Sequence, residues 1–394
     1  MGKPGGSMYS ILLVIIYISF ISLGLPDSML GSAWPDMHGD MSVPVSYAGV
    51  LSTLIAACTI VSSLFSDKVI RKLGTGKVTL ISVAMTAIAL FGFSVSTEFW
   101  MLCVLSIPYG LGAGSVDAAL NNFVALHYKA RHMSWLHCFW GIGATAGPYI
   151  MGAYLTGGAT WNSGYRTVSC IQMVLTAILL FTLPLWREGK AADGEVAAQK
   201  SMKMKEIVNL SGAKAALLSF FCYCSLEATC GLWAASYMVM HRGISTETAA
   251  TWASLFYLGI TIGRFLCGFI SIKLGDKNMI RLGQGFMAAG VVMLLIPGGD
   301  SFVFAGLILV GLGCAPVYPC LIHETPENFG ADQSQALIGM QMACAYLGTT
   351  LTPPLFGLIA QHIHIMWYPI YLALFVVLMV LAVEKLNRSA KVGK

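Results

Sequence analysis

Long apolar runs decide what this chain can become. A helix that crosses a bilayer needs about 20 predominantly apolar residues. Twelve such stretches stand in the sequence, at 8–36, 46–66, 78–97, 100–126, 135–157, 165–186, 212–240, 248–271, 282–299, 302–323, 335–361 and 367–384. Of 394 residues, 57% are hydrophobic and only 10% are charged, against about 25% charged in a soluble domain. Too few charges remain to coat a water-facing surface, so the solvent for most of the chain is lipid. No A-x-A-like cleavage site follows the first run, which therefore reads as a membrane helix and not as a leader. Several runs exceed 20 residues, which predicts tilt or kinks; Gly24 and Pro26 predict a bend in the first.

The basic residues are distributed with a strong bias. With the N-terminus on the cytoplasmic side, 20 of the 23 Lys and Arg residues fall on that side, as the positive-inside rule requires. Arg166 and Arg242 fall opposite, and Arg264 lies within a span. Both termini are thus expected in the cytoplasm, in a multi-pass protein of the cell membrane. The net charge of +5 is spread over short loops, which excludes a nucleic-acid surface. The 11 cysteines sit mostly inside apolar runs without paired metal-ligand spacing, so no metal is expected. Residues 187–211 are polar and charged, and divide the spans six and six. The domains expected are a bundle at 1–186, a cytoplasmic linker at 187–211 and a second bundle at 212–394.

The halves repeat one another. Lys72-Leu73-Gly74 matches Lys273-Leu274-Gly275, and Gly110-Leu111-Gly112 matches Gly311-Leu312-Gly313, both at an offset of 201. Asp27-x3-Gly31 matches Glu227-x3-Gly231 at 200, and Pro148-x3-Gly152 matches Pro353-x3-Gly357 at 205. Four matches at nearly one offset, in one order, indicate a duplicated unit. Six spans per half keep the repeat parallel. The fold class expected is all-α integral membrane, with twelve transmembrane helices in two six-helix bundles related by a parallel pseudo-two-fold and a substrate site between them near the midplane.

An ionised Asp at the bilayer centre costs at least about 2.5–3.5 kcal/mol on insertion scales. Asp27, Asp117, Glu227 and Arg264 therefore need a reason to be there. For the three acids the functional reading is ion coupling; the alternative is a structural charge pair or a kink-filling hydrogen bond. Arg264 reads as a gating or structural counter-charge. A polar substrate rich in hydroxyls calls for amides and aromatic faces together, and Asn121, Asn122, His137, Trp140, Gln172, Trp233, Gln284, Tyr318 and Gln341 supply them. Most intramembrane aromatics simply pack or form interfacial belts. The GxG patterns lack a strand–turn–helix setting and read as close helix packing. No nucleotide-binding loop is present, so no cofactor is expected and any transport draws on a gradient.

The stretch Ser66-Asp67-Lys68-Val69-Ile70-Arg71-Lys72-Leu73-Gly74-Thr75-Gly76-Lys77 resembles the loop between helices two and three of the major facilitator superfamily, with Lys68 at the usual Arg place. Asp67 and Arg71 in this loop, and Arg131 after the fourth span, take gating or structural charge roles in this reading. Gly24-Leu25-Pro26-Asp27 in helix one and Asp117-Ala118-Ala119-Leu120-Asn121 in helix four resemble the group of sugar symporters that includes fucose permease and the sodium-dependent glucose transporters. In that group an acid stands at each place, with Asn four residues after the second. Phe139-Trp140-Gly141 departs from the group, where fucose permease has Asn-Pro.

The resemblance implies secondary active uptake of a monosaccharide by alternating access, coupled to H⁺ in preference to Na⁺, by a protein that works as a monomer and is not an enzyme. The competing reading is H⁺-antiport efflux of a drug or amphipathic compound, for which Gly143-x3-Gly147-Pro148 is the suggestive motif.

Overall fold

The computed structural model describes residues 6–27, 29–43, 47–187, 203–244 and 246–392. Every regular element among them is helical. That is the only open-chain solution lipid allows, because each backbone N–H and C=O must find its partner within its own segment. The helices are α1 (Gly6–Asp27), α2 (Met29–Asp40), α3 (Ala48–Leu73), α4 (Thr75–Val95), α5 (Phe99–His127), α6 (Ala130–Thr156) and α7 (Trp161–Thr182) in the first half. In the second they are α8 (Met204–Val208), α9 (Ala213–Arg242), α10 (Thr246–Leu295), α11 (Asp300–His323), α12 (Thr325–Phe329), α13 (Ala331–His362) and α14 (Tyr368–Val392).

Ten helical stretches among the described residues are long and apolar enough to cross a bilayer. Twelve follow once two facts are added. The 50-residue α10 is broken at Gly275, whose φ of 71° and ψ of 162° are not helical, so it is two spans in one continuous run. The 27-residue α6 is long enough but diluted in apolar character by its Gly, His and Trp residues. Gly24 and Pro26, where the sequence predicts a bend, lie in the last turn of α1; Ser28 lies outside the described residues, as do 188–202 of the expected linker. The first span's Pro26 has no N–H to give to the carbonyl of Ser22, four residues back. Gln172 of α7 fills that vacancy, its Nε2 donating to the Ser22 carbonyl at 2.8 Å.

The sequence repeat is a repeat of packing. Gly74 and Gly275, at the 201 offset, both take positive φ, at 82° and 71°, where an L side chain would be strained. A Cβ on Gly110 of α5 would run into the Ile55 carbonyl of α3, and one on Gly311 of α11 into the Phe256 carbonyl of α10. Gly112 lies likewise against the Ser82 carbonyl of α4, and Gly313 against the Gly283 carbonyl of α10. Gly143 of α6 sits on the Ile21 carbonyl of α1, and Gly348 of α13 on the Phe221 carbonyl of α9. Each pair obeys the offsets read from the sequence, so both halves build the same helix contacts in the same order.

The chain divides into two compact units, Met1–Phe123 with Leu136–Ser201, and Val124–Trp135 with Met202–Lys394. The first has a core around Met29, Trp34, Phe93, Trp161 and Tyr165. In the second, Ile207 of α8 packs with Ala213, Leu217 and Leu337 at the starts of α9 and α13. Large apolar side chains such as Ile88, Phe181 and Leu381 face outward, an arrangement suited to lipid and not to water.

Candidate ion-coupling and substrate site

The first unit assembles a carboxylate site along one seam between α1 and α6. Three glycines let the backbones touch: Gly24 of α1 lies on the Trp140 carbonyl and the Ala144 amide, Gly143 on Ile21, and Gly147 on Leu25. A side chain at any of these positions would hold the helices apart. The close approach brings Trp140, three residues before Gly143, to Asp27, three after Gly24. The Trp140 indole Nε1 donates to Asp27 Oδ2 at 2.8 Å. From α5, the buried Tyr109 hydroxyl donates to Oδ1 at 3.4 Å. Asp27 itself is exposed, although it stands inside a span running from Ile11 to Trp34. A carboxylate there has neutral donors on both oxygens and an open side.

A second acid lies deeper. Asp117 of α5 is 6% exposed and accepts from Asn121 Nδ2 at 2.8 Å, one helical turn on. With its amide nitrogen committed to the carboxylate, Asn121 presents Oδ1 to His137 Nε2 at 3.1 Å. An amide oxygen only accepts, so His137 donates from Nε2 in this arrangement. Phe20 of α1 closes on the imidazole edge-to-face at 5.6 Å. His137 and Trp140 are three residues apart on α6 and share its face; Phe20 and Asp27 are seven apart on α1. Both acid networks therefore end on the same α1–α6 seam. Asn122 is buried beside Asn121.

The second unit meets the repeat counterpart of Asp27 with a different partner. Glu227 of α9 forms an ion pair with Arg264 of α10, Oε1 to Nη2 at 3.7 Å, and the same Nη2 donates to the Tyr223 hydroxyl at 3.4 Å. Arg264 is 5% exposed, so the acid is matched by a buried cation. Tyr223 and Phe220 flank Tyr318 at ring distances of 5.7 and 5.2 Å, and the Tyr318 hydroxyl meets the Met342 sulfur at 3.1 Å. Two sequence candidates here make hydrogen bonds to neighbouring helices. Trp233 donates its indole N–H to the Pro353 carbonyl at 2.9 Å, and Gln341 accepts from Thr325 Oγ1 at 3.1 Å. Gln284 is 4% exposed, and its Nε2 has no hydrogen-bond partner.

The other charges named from the sequence lie at helix ends. Arg71 Nε donates to Asp67 Oδ1 at 2.8 Å within α3. Arg131 Nε donates to His132 Nε2 at 3.2 Å and lies over the Trp135 ring at 5.8 Å. Burial, with Arg131 and Lys129 nearby, lowers the His132 pKa from 6.5 to about 4, so the ring is a neutral acceptor. Close by in the same unit, His323 bridges Asp276 Oδ2 at 2.6 Å and the Tyr128 carbonyl at 3.1 Å. Glu324 follows, 3% exposed; burial first, and Asp276 next, push its carboxyl up to about 7.

Tyr109, Tyr223, His323, Asp276 and Glu324 were not anticipated from the sequence. A tyrosine in a span has no signature of its own. Asp276 and His323 do carry a signal, since each charge-capable side chain borders an apolar run, but their pairing spans 47 residues.

Comparison with known proteins fits this architecture. The family model described as Major Facilitator Superfamily matches residues 16–211 and 215–389. The glucose/mannose transporter GlcP of Bacillus subtilis is 23% identical, over 77% of this chain and 75% of its own. The class B tetracycline resistance protein of Escherichia coli is 22% identical, over 92% and 90%. Among solved structures, the E. coli fucose:proton symporter FucP in its outward conformation superposes with a TM-score of 0.76 at 14% identity, covering 96% of this chain and 99% of that one. With the family model covering nearly the whole length, the chain belongs to the Major Facilitator Superfamily, and it is a membrane transporter and not an enzyme.

Proposed function

We propose that the protein carries a monosaccharide into the cell by alternating access, in symport with H⁺, and that Asp27 is the coupling carboxylate. The observation that carries this reading is the setting of Asp27: a carboxylate inside a span, open on one side, with an indole N–H and a phenol O–H on its two oxygens. Neutral donors stabilise the ionised form without forming an ion pair. A proton can therefore arrive and leave with no buried counter-charge left behind. Donors also disfavour Na⁺, which needs oxygen lone pairs. Glu227 is matched instead by the buried Arg264. The chain Asp117–Asn121–His137 is a second acid–imidazole relay along the same seam.

The sugar reading draws support from the substrates named for GlcP and FucP. Among the sequence candidates, Gln284 still has a buried amide N–H₂ to offer a hydroxyl, and Asn122 and Tyr318 lie among buried aromatics and amides. The carrier is a monomer in the cell membrane with cytoplasmic termini. Efflux of an amphipathic compound is the second reading, favoured by the tetracycline resistance relative and by the Gly143–Gly147 packing on α1. Proteoliposomes separate the two. Under an inward proton gradient, labelled hexose should accumulate, and an imposed Na⁺ gradient alone should not drive it. Failure of every hexose to accumulate under either gradient, together with gradient-driven extrusion of a dye or drug, replaces uptake by efflux.

A further inference from the structure

Outside the seam, the first unit carries an apolar cleft of about 250 Å³ between α3, α4 and α5. Its walls are Val61, Phe65 and Val69 on α3 and Ile81 and Met85 on α4. Val61, Phe65, Val69 and Ile81 are 38–48% exposed, so the cleft opens outward. At its floor the Ser62 hydroxyl bonds to Ser115 and to the Leu111 carbonyl, which leaves the lining effectively hydrocarbon.

The end of this cleft is strongly basic. Residues 61, 65, 69 and 73 recur every four positions and form one stripe of α3. By the same 100° step, Lys72 falls within that stripe and Lys68 beside it. Lys68 Nζ lies 5.3 Å from the centre of the Phe65 ring, so its stem runs along the wall of the cleft. Lys77 precedes Val78, which lines the cleft on α4. All three lysines are exposed. The nearest acid in sequence, Asp67, is turned to the other side of α3 and paired with Arg71, and no ion pair engages the three lysines among the described residues. This is the basic end of the unit, which the positive-inside rule places at the cytoplasmic leaflet.

We propose that the cleft holds one anionic phospholipid of the cytoplasmic leaflet, an acyl chain lying in the cleft and the phosphate between Lys68 and Lys72. An apolar slot open to lipid selects a chain, and unpaired lysines at its polar end select the charge of the headgroup. The site is independent of the sugar reading.

The test uses full-length protein stripped of lipid in mild detergent and titrated with phosphatidylglycerol or phosphatidylcholine of identical chains. Native mass spectrometry counts the bound lipid. One phosphatidylglycerol should bind ahead of all others, preferred over phosphatidylcholine by about fivefold for each lysine engaged. The double variant Lys68→Gln, Lys72→Gln should lose that preference, whereas Lys273→Gln, at the repeat counterpart of Lys72, should keep it. Val61→Trp, at an exposed position on the wall, should fill the cleft and weaken binding of both lipids. Equal binding of the two lipids by the unmodified protein, an undiminished preference in the double variant, or unchanged binding in Val61→Trp each overturns the proposal.

Discussion

Asp27 and Glu227 occupy matching positions in the repeat, yet their partners differ in kind. Asp27 has an indole and a phenol; Glu227 has a guanidinium. Neutral donors leave no buried counter-charge when a carboxylate takes up a proton, whereas a guanidinium partner does. Removing Arg264 would leave Glu227 half-buried and unmatched, at a cost of about 3–5 kcal/mol for a buried pair, less here because Glu227 keeps 23% side-chain exposure. Arg264→Ala should melt well below the unmodified protein in detergent, and adding Glu227→Gln should recover much of the loss. A melting temperature unchanged by Arg264→Ala would mean that the pair carries no stability. Glu324 supplies a pH test outside the spans. Its carboxyl stands at about 7 against 4.5 unfolded, so the folded state holds the proton more tightly. The stability this brings is complete below pH 4.5 and is lost as pH rises through about 7. Its size is about 3 kcal/mol. Thermal unfolding should therefore show a fall in stability from pH 5 to pH 8 that Glu324→Gln flattens; identical pH profiles would remove Glu324 as the cause.

At the level of helices, glycine carries most of the information. Gly143 lets α6 touch α1, and that contact is what carries Trp140 to Asp27. Gly143→Leu should separate the helices, abolish gradient-driven transport and lower stability by about 1–3 kcal/mol, the cost of forcing extra methylenes into a packed site. Transport at the unmodified rate in that variant would break the link between the seam and coupling. The spans and the duplication were readable in advance because lipid and chain geometry act on each segment separately. Partners that meet from different segments were not readable. Gln172, one of the candidate sugar ligands, has its Nε2 on the Ser22 carbonyl that Pro26 leaves vacant. Trp233 likewise gives its indole N–H to the Pro353 carbonyl, and Gln341 Oε1 accepts from Thr325. Amide and indole side chains look alike in sequence whether they wait for a substrate or satisfy a neighbouring helix. Arg242 makes the same point: it donates to the Leu294 and Ile296 carbonyls at 2.8 and 2.7 Å and so caps the last turn of α10.

Across the whole molecule, duplication explains both what the halves share and where they part. The same glycine contacts recur at the same offsets, so both bundles fold by one plan. The chemistry laid on that plan is asymmetric, with two acids and an imidazole in the first unit and an acid matched by arginine in the second. In the proposed mechanism, proton exchange belongs to the first. The most direct test is Asp27→Asn in proteoliposomes, with accumulation and counterflow of the same hexose measured side by side. The account predicts that accumulation under an inward proton gradient is lost, while exchange of labelled for unlabelled hexose continues. Accumulation at the unmodified level in Asp27→Asn would contradict it.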